Sequence, residues 1–310
     1  MRAATIDIGT NSVLLLVAES EGGALRPVLE RATVTRLGEG VDRNRRLLDA
    51  ACERTLTCLS DYASQLRGLG VHRLAAVGTS AMRDARGGQE FVARATTILG
   101  VAPRVIDGEE EARLTFAGAL SGLPQLGKVT VFDIGGGSTE VIVGSTSASE
   151  RRVRAAVSLD IGSVRLFERY VRSDPPTARE MQSVQRDVAL ALASAPKPEP
   201  GAILVGVAGT VTQLAVLELE LEAYDATRVH GYTLTRSSVE QLALRLASLD
   251  LAQRCRLPGM EPGRADVLVV GSAIAQAVLQ WSGAAELVVS DRGVRWGLAE
   301  ELVADRGCAG

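Results

Sequence analysis

At 310 residues, with 46% apolar and only 3% aromatic side chains, the chain is long enough for two ordinary domains with cores packed by small aliphatic residues. A formal charge of −3 gives no basic field to gather nucleic acid, no apolar run approaches the ~20 residues of a membrane span, and no signal peptide precedes the first predicted strand; a cytoplasmic protein without nucleic-acid or membrane partners is expected. The four cysteines lack C-x-x-C spacing, as in a reducing compartment, and the two histidines, His72 and His230, exclude a His-rich metal site and leave carboxylates as the expected general bases.

Strand-like runs are predicted at 3–8, 12–18 and 27–36, then a helix over 46–69, where Leu47, Leu48, Ala51, Leu56, Leu59, Tyr62 and Leu66 keep helical spacing. A strand follows at 73–78, a helix at 88–99, a short strand at 103–106 and a helix from Glu109 to Leu120. Ser121-Gly122-Leu123-Pro124 breaks the pattern, and the domain boundary is placed there, dividing 1–124 from 125–310 with the last helix free to pack back on the first domain. The second half repeats the plan: strands at 129–134, 139–144 and 152–158, helices at 161–172 and 177–194, a strand at 203–207 and a helix to about 222. A short stretch near 231–234, helices at 236–249 and 264–281, a strand at 285–289 and a helix at 293–304 complete it. Three strands followed by alternating helices and strands, used twice, predict an α/β protein with two mixed sheets, helices on their faces.

One motif also occurs twice. Asp7-Ile-Gly-Thr-Asn-Ser12 and Asp133-Ile-Gly-Gly-Gly-Ser138 align without gaps, each following an apolar strand and running into another. Glycines allow the backbone a tight turn and a close approach to a ligand. Successive N–H groups in such a turn form a concave anion site, and the hydroxyls of Thr10, Ser12, Ser138 and Thr139 are expected to add donors. An Asp at the strand end repels phosphate directly but can hold a divalent cation that phosphate then joins. The alternative for either copy alone is an ordinary glycine hairpin.

Four further constellations stand out. Gly108-Glu-Glu-Glu-Ala-Arg113 places three acids at a helix N-terminus, where the dipole favours them; Glu109 and Glu110 read equally well as capping residues. Glu111, just before the apolar face begins, is positioned to act as general base on a water. Gly78-Thr-Ser-Ala-Met-Arg83 offers two hydroxyls and an arginine suited to bidentate phosphate contact, or else a solvated surface turn. Val207-Ala-Gly-Thr210 puts a small turn before a helix, a weak phosphate signal, and Gly293-Val-Arg-Trp-Gly297 reads as a helix start. Gly122 to Lys128 matches G-x-x-x-x-G-K, but Val129 and a strand follow where a P-loop needs Ser or Thr and a helix. The positive charge is almost all arginine, with Lys128 and Lys197 the only lysines; phosphate recognition and a GC-rich genome account for this equally.

These motifs, in this order, resemble the exopolyphosphatase/guanosine pentaphosphate phosphohydrolase (Ppx/GppA) family. Further matching stretches are Leu159-Asp-Ile-Gly-Ser-Val-Arg165, Gly206-Val-Ala-Gly-Thr210, Pro258 to Asp266 and Gly293 to Gly297, so the likeness spans nearly the whole chain. The resemblance implies two RNase H-like (actin-like) domains flanking a central cleft, and Mg²⁺-dependent hydrolysis of a terminal phosphoanhydride. It implies Glu111 as general base, Asp133, Glu140 and Asp7 as metal-site acids, and Asn11, Ser12, Arg83, Gly136, Gly137 and Ser138 as phosphate-binding residues. It also implies pairing into a homodimer. Longer members add helical C-terminal domains that these 310 residues do not include, so a firm grip on very long polyphosphate is not expected. Trp296 and Asp160 depart from the family pattern. The expected activity is release of orthophosphate from the end of inorganic polyphosphate. The alternatives are removal of the 5′ γ-phosphate of pppGpp, an actin-like kinase, and a non-enzymatic (p)ppGpp sensor.

Overall fold

The computed structural model describes residues 1–21, 24–147 and 150–304. In chain order the elements begin β1 (Arg2–Ile8), β2 (Ser12–Glu21), β3 (Ala24–Val34), α1 (Val41–Asn44), α2 (Asp49–Arg67), β4 (Arg73–Gly78), α3 (Ser80–Asp84), α4 (Gly88–Leu99), β5 (Arg104–Val105) and α5 (Gly108–Ala119). They continue with β6 (Lys128–Ile134), β7 (Thr139–Thr146), β8 (Arg151–Leu159), α6 (Ser163–Tyr170), α7 (Ala178–Leu192), β9 (Ile203–Val207), α8 (Ala208–Glu218) and α9 (Ala226–Val229). The last are β10 (Thr233–Thr235), α10 (Arg236–Ser248), α11 (Leu251–Arg254), α12 (Leu268–Ser282), β11 (Glu286–Val289) and α13 (Val294–Ala304). The chain forms two compact units: Met1–Ser121 with the C-terminal segment from Val294, and Gly122–Gly293.

The first unit is built on a five-stranded sheet in the order β3-β2-β1-β4-β5. β1 and β2 are antiparallel, as are β2 and β3, whereas β4 and β5 run parallel to β1. Ile6, Ile8, Val13, Leu15 and Val17 pack on one face against Leu56 and Leu59 of α2 and Phe91 and Leu99 of α4. On the other face, α13 carries Trp296 and Ala299 against Leu16 and Ala18, and Val294 and Leu298 against Val77, Ile106 and Leu114. Both sides of β1 are therefore covered, which explains its nearly unbroken run of buried residues. A Cβ on Gly297 would lie 2.1 Å from the Leu114 carbonyl oxygen, so glycine is what lets α13 lie against α5.

The second unit carries a six-stranded sheet in the order β10-β11-β9-β6-β7-β8. β6 to β8 form an antiparallel meander, β9 and β11 run parallel to β6, and β10 is an antiparallel edge strand. Phe132, Ile134 and Val141 of the sheet share one core with Val184 and Val188 of α7, Leu214 of α8 and Ile274 and Val278 of α12. Ten of the fifteen residues of α12 are buried, as expected of a helix that is apolar around most of its circumference. α7 opens with a complete capping box between Thr177 and Glu180.

Each unit thus has an antiparallel three-strand meander extended on its first-strand side by parallel strands, the RNase H-like plan of actin-like domains. The duplication reaches single residues. Both meanders carry an irregularity at equivalent positions, Val17/Ala18 and Val143/Gly144. The Asp of each motif also occupies the same register, Asp7 opposite Leu14 and Asp133 opposite Glu140.

Candidate active site

In the second unit the turn between β6 and β7 is closed by Gly135 N–H donating to the Ser138 carbonyl at 3.0 Å. Its carbonyls are then bound by the segment that starts α6. Ser163 N–H donates to Gly135 C=O at 3.0 Å, and Val164 and Arg165 N–H both donate to Gly136 C=O, at 2.9 and 3.0 Å. The Arg165 guanidinium Nε donates to Gly137 C=O at 2.6 Å, from a side chain only 6% exposed. In a planar trans peptide the N–H points opposite to the C=O. Three successive carbonyls held from the α6 side therefore turn the N–H groups of Gly136, Gly137 and Ser138 the other way. None of these three N–H groups donates to a backbone carbonyl among the described residues. Successive N–H groups so aimed make an anion-binding nest. Gly162 permits the arrangement, because a Cβ there would stand 2.4 Å from the Gly136 oxygen.

Asp133, the penultimate residue of β6, lies directly opposite Glu140 on β7. Glu140 is 1% exposed and accepts a hydrogen bond from the Ser158 hydroxyl at 2.7 Å. Cross-strand partners have Cβ atoms about 5 Å apart, and two carboxylates so placed repel unless a cation or proton lies between them. Among the described residues no group of three or more His, Cys, Asp or Glu side chains is gathered to hold a metal by protein ligands alone. Two carboxylates, with phosphate oxygens and water to complete the shell, are the usual protein contribution to Mg²⁺.

The first unit repeats this construction with different side chains. Gly9 N–H donates to Ser12 C=O at 3.0 Å, and the segment after β3 binds the turn carbonyls: Thr35 and Arg36 N–H to Asn11 C=O, and Gly38 N–H to Thr10 C=O. Asn11 Oδ1 is buried without a hydrogen-bond partner among the described residues. Asp7 is 8% exposed and faces Leu14 rather than a second acid, so this copy offers a single carboxylate.

Glu111 lies in α5, 7% exposed, and Arg83 Nη1 donates to its Oε2 at 2.9 Å. The same Nη1 also donates to the Ile106 carbonyl at 3.0 Å. Arg83 is carried by the one-turn helix α3 rather than by the plain turn its sequence suggests. The other two acids of the Glu triplet have different surroundings. Glu109 is exposed, and Glu110 pairs with Arg104 while its N–H donates to the Asp107 cap at 2.8 Å. The structure thus separates Glu111 from its neighbours by burial and by its arginine partner.

Two expected donors are used differently. Thr139 Oγ1 donates to the Ile161 carbonyl, and Thr10 Oγ1 shares a hydrogen bond with Ser80 Oγ at 2.7 Å, so both hydroxyls tie loops together. At the α8 start, Ala208 has φ +69°, an uncommon left-handed conformation for alanine, and the Arg264 guanidinium rests on Gly209, where a Cβ would meet it at 1.1 Å. Trp296 is fully buried, and its Nε1 donates to Glu30 at 3.3 Å, which gives this departure from the family pattern a packing role. Asp160 approaches Arg165 at 3.7 Å, so it flanks the residue that holds the turn. Sequence reasoning does not reach the carbonyl-binding role of Thr35 to Gly38 or of Ser163 to Arg165. The only signal was the Leu159 to Arg165 motif itself, without a chemical reason attached.

The sequence model of the Ppx/GppA phosphatase family matches residues 16–305. The chain belongs to that family. It is 38% identical over 318 aligned residues to a Mycobacterium tuberculosis protein named Exopolyphosphatase 2, covering 97% of this chain and 98% of that one. The crystal structure of an Aquifex aeolicus Ppx/GppA family member superposes with a TM-score of 0.82 at 33% identity, covering 100% of this chain and 99% of the other. An exopolyphosphatase from Cytophaga hutchinsonii superposes with a TM-score of 0.88 at 25% identity, covering 98% of each chain. Family membership agrees with the two actin-like domains.

Proposed function

We propose that this protein is an exopolyphosphatase that releases orthophosphate from the end of inorganic polyphosphate. The observation that carries the reading is the Gly135–Ser138 turn, whose three outward N–H groups suit a phosphate, in a chain 38% identical to a protein named exopolyphosphatase.

In this reading the N–H groups of Gly136, Gly137 and Ser138 bind oxygens of the terminal phosphate. Arg83 adds a planar charged donor, and Asn11 and Ser12 add polar contacts from the first unit's turn. Glu111 takes a proton from water as the water oxygen bonds to the terminal phosphorus. The phosphorus–oxygen bond to the next phosphate breaks, and the shortened chain leaves with the bridging oxygen. Such transfer needs mainly positioning and charge stabilisation, which this set of donors supplies. The donor chemistry fits Mg²⁺: Asp133 and Glu140 would hold it, with Asp7 as the equivalent acid of the first unit. When bound, the ion supplies charge neutralisation at the phosphate oxygens. A cytoplasmic location and a homodimeric state complete the proposal, the second on the family resemblance alone. No helix among the described residues is long and apolar enough to cross a membrane.

The test is phosphate release by the purified protein from long polyphosphate, tripolyphosphate, pppGpp and ATP, each with Mg²⁺ and with EDTA. Mg²⁺-dependent release from polyphosphate well above pppGpp is the expected result. Release from pppGpp alone would replace polyphosphate as the substrate, and transfer of the ATP γ-phosphate to an acceptor alcohol, leaving ADP and no free orthophosphate, would make the protein a kinase.

A further inference from the structure

On the first unit, two loop segments run side by side. Arg86 N–H donates to Arg45 C=O at 2.9 Å and Leu47 N–H donates to Arg86 C=O at 3.1 Å, a parallel bridge that pairs Arg46 with Arg86. Residues paired across a bridge project to the same side, so the two arginine side chains leave the backbone from neighbouring positions there. Arg43 and Arg45 flank them, and all four side chains are exposed. Among the described residues Arg43, Arg45 and Arg86 have no ion-pair partner, and Arg46 reaches only Asp49, at 3.8 Å, whose side chain is 96% exposed. Like charges directly opposite each other destabilise a pairing. Main-chain hydrogen bonds alone hold this bridge together, so the fold does not need arginine at either position. An anion shared by the two guanidinium groups would turn their repulsion into attraction.

The location gives the patch a use. Arg86 follows Arg83 by three residues, a span of at most about 10 Å of chain, and Arg83 holds Glu111. We propose that Arg46 and Arg86, with Arg43 and Arg45 beside them, bind the phosphates of a polyphosphate chain that lie beyond the one being hydrolysed. The inference rests on the exopolyphosphatase reading above. It makes this surface a chain-length selector: a long chain engaged near Glu111 has further phosphates to place on it, whereas a tripolyphosphate has few to spare. Arginine suits the task, because its planar fork pairs with phosphate oxygens two at a time.

The test compares the full-length protein with the double variant Arg46→Gln, Arg86→Gln and with Arg46→Lys, Arg86→Lys, on long polyphosphate and on tripolyphosphate at several salt concentrations. The Gln pair is expected to raise KM for long chains roughly five- to tenfold, as two lost surface charge contacts would. It should also flatten the salt dependence of KM and leave tripolyphosphate kinetics within about twofold. The Lys pair should retain most of the long-chain affinity. Equal changes on both substrates, or none on either, would overturn the inference while leaving exopolyphosphatase activity in place. A wild-type protein that releases no phosphate from any polyphosphate would instead remove the underlying reading and this inference with it. Matched thermal midpoints of the three proteins exclude misfolding as the cause.

Discussion

Replacing Arg165 with methionine tests the construction of the Gly135–Ser138 turn. The Nε donates to Gly137 C=O at 2.6 Å from a side chain 6% exposed, so methionine keeps much of the apolar stem and deletes the donor and the charge. The Gly137 carbonyl then sits in a protein environment with its charged partner gone, which costs about 1–3 kcal/mol of stability. The backbone bonds from Ser163, Val164 and Arg165 still hold the Gly135 and Gly136 carbonyls. Only the Gly137–Ser138 peptide is freed, and the Ser138 N–H loses its aim. Loss of one preorganised donor to a developing anion lowers kcat by ~10²- to 10³-fold. The assay pairs a thermal melt with kcat and KM for phosphate release from polyphosphate. Arg165→Lys restores the charge but not the fixed planar donor and should recover only part of kcat. A methionine variant with a lowered thermal midpoint and wild-type kcat would refute the reasoning, because Arg165 would then support the fold without aiming the turn.

Two further outcomes concern the units separately. Gly297→Ala places a methyl group 2.1 Å from the Leu114 carbonyl oxygen, so α13 must shift off α5. A loss of about 1–3 kcal/mol in denaturant unfolding is expected, and an unchanged midpoint would show that α13 packs differently. In the second unit, the Glu180 carboxyl is lowered from its ordinary value of 4.5 to about 2, first by the Thr177 N–H and then by the Arg172 N–H, the Thr177 hydroxyl and the Ser173 N–H, against an opposing contribution from burial. Its stabilising contribution is therefore complete above pH 4.5 and disappears as the pH falls from there towards 2. Glu180→Ala should cost about 1 kcal/mol at neutral pH and show a weaker loss of stability across that acid window; parallel melting curves for both proteins at every pH would count against the capping box.

Most elements were legible because their signals are local. The strands at 203–207 and the helix at 88–99 fall where spacing and flanking glycines place them, and the two Asp-x-Gly turns follow from the motif alone. The short helices α1, α3 and α11 were not legible, since four or five residues are too few to show a period. The start of α12 lies at Leu268 rather than near 264, because Pro262–Arg264 forms a separate 3₁₀ turn capped by Glu261. At the candidate site, residue types were legible and partnerships were not. Nothing local in Gly-Glu-Glu-Glu says that a part-buried Arg83 will pair with the third acid and an exposed Arg104 with the second. The segments that bind the turn carbonyls act through long-range backbone bonds, which any residue type can make, so composition carries no trace of them. Threonine hydroxyls follow the same rule: Thr139 donates to the Ile161 carbonyl and Thr10 shares a hydrogen bond with Ser80, both partners distant in sequence.

The central claim is tested most directly by Glu111→Gln, measured for polyphosphate binding and for phosphate release on the same preparation. The carboxamide keeps the size of the side chain and an oxygen for Arg83 but cannot accept a proton from water. Turnover is predicted to fall by at least ~10²-fold, with the dissociation constant for polyphosphate unchanged within about threefold. Weakened binding with unchanged turnover per bound chain, or full activity, would contradict the assignment of Glu111 as the base.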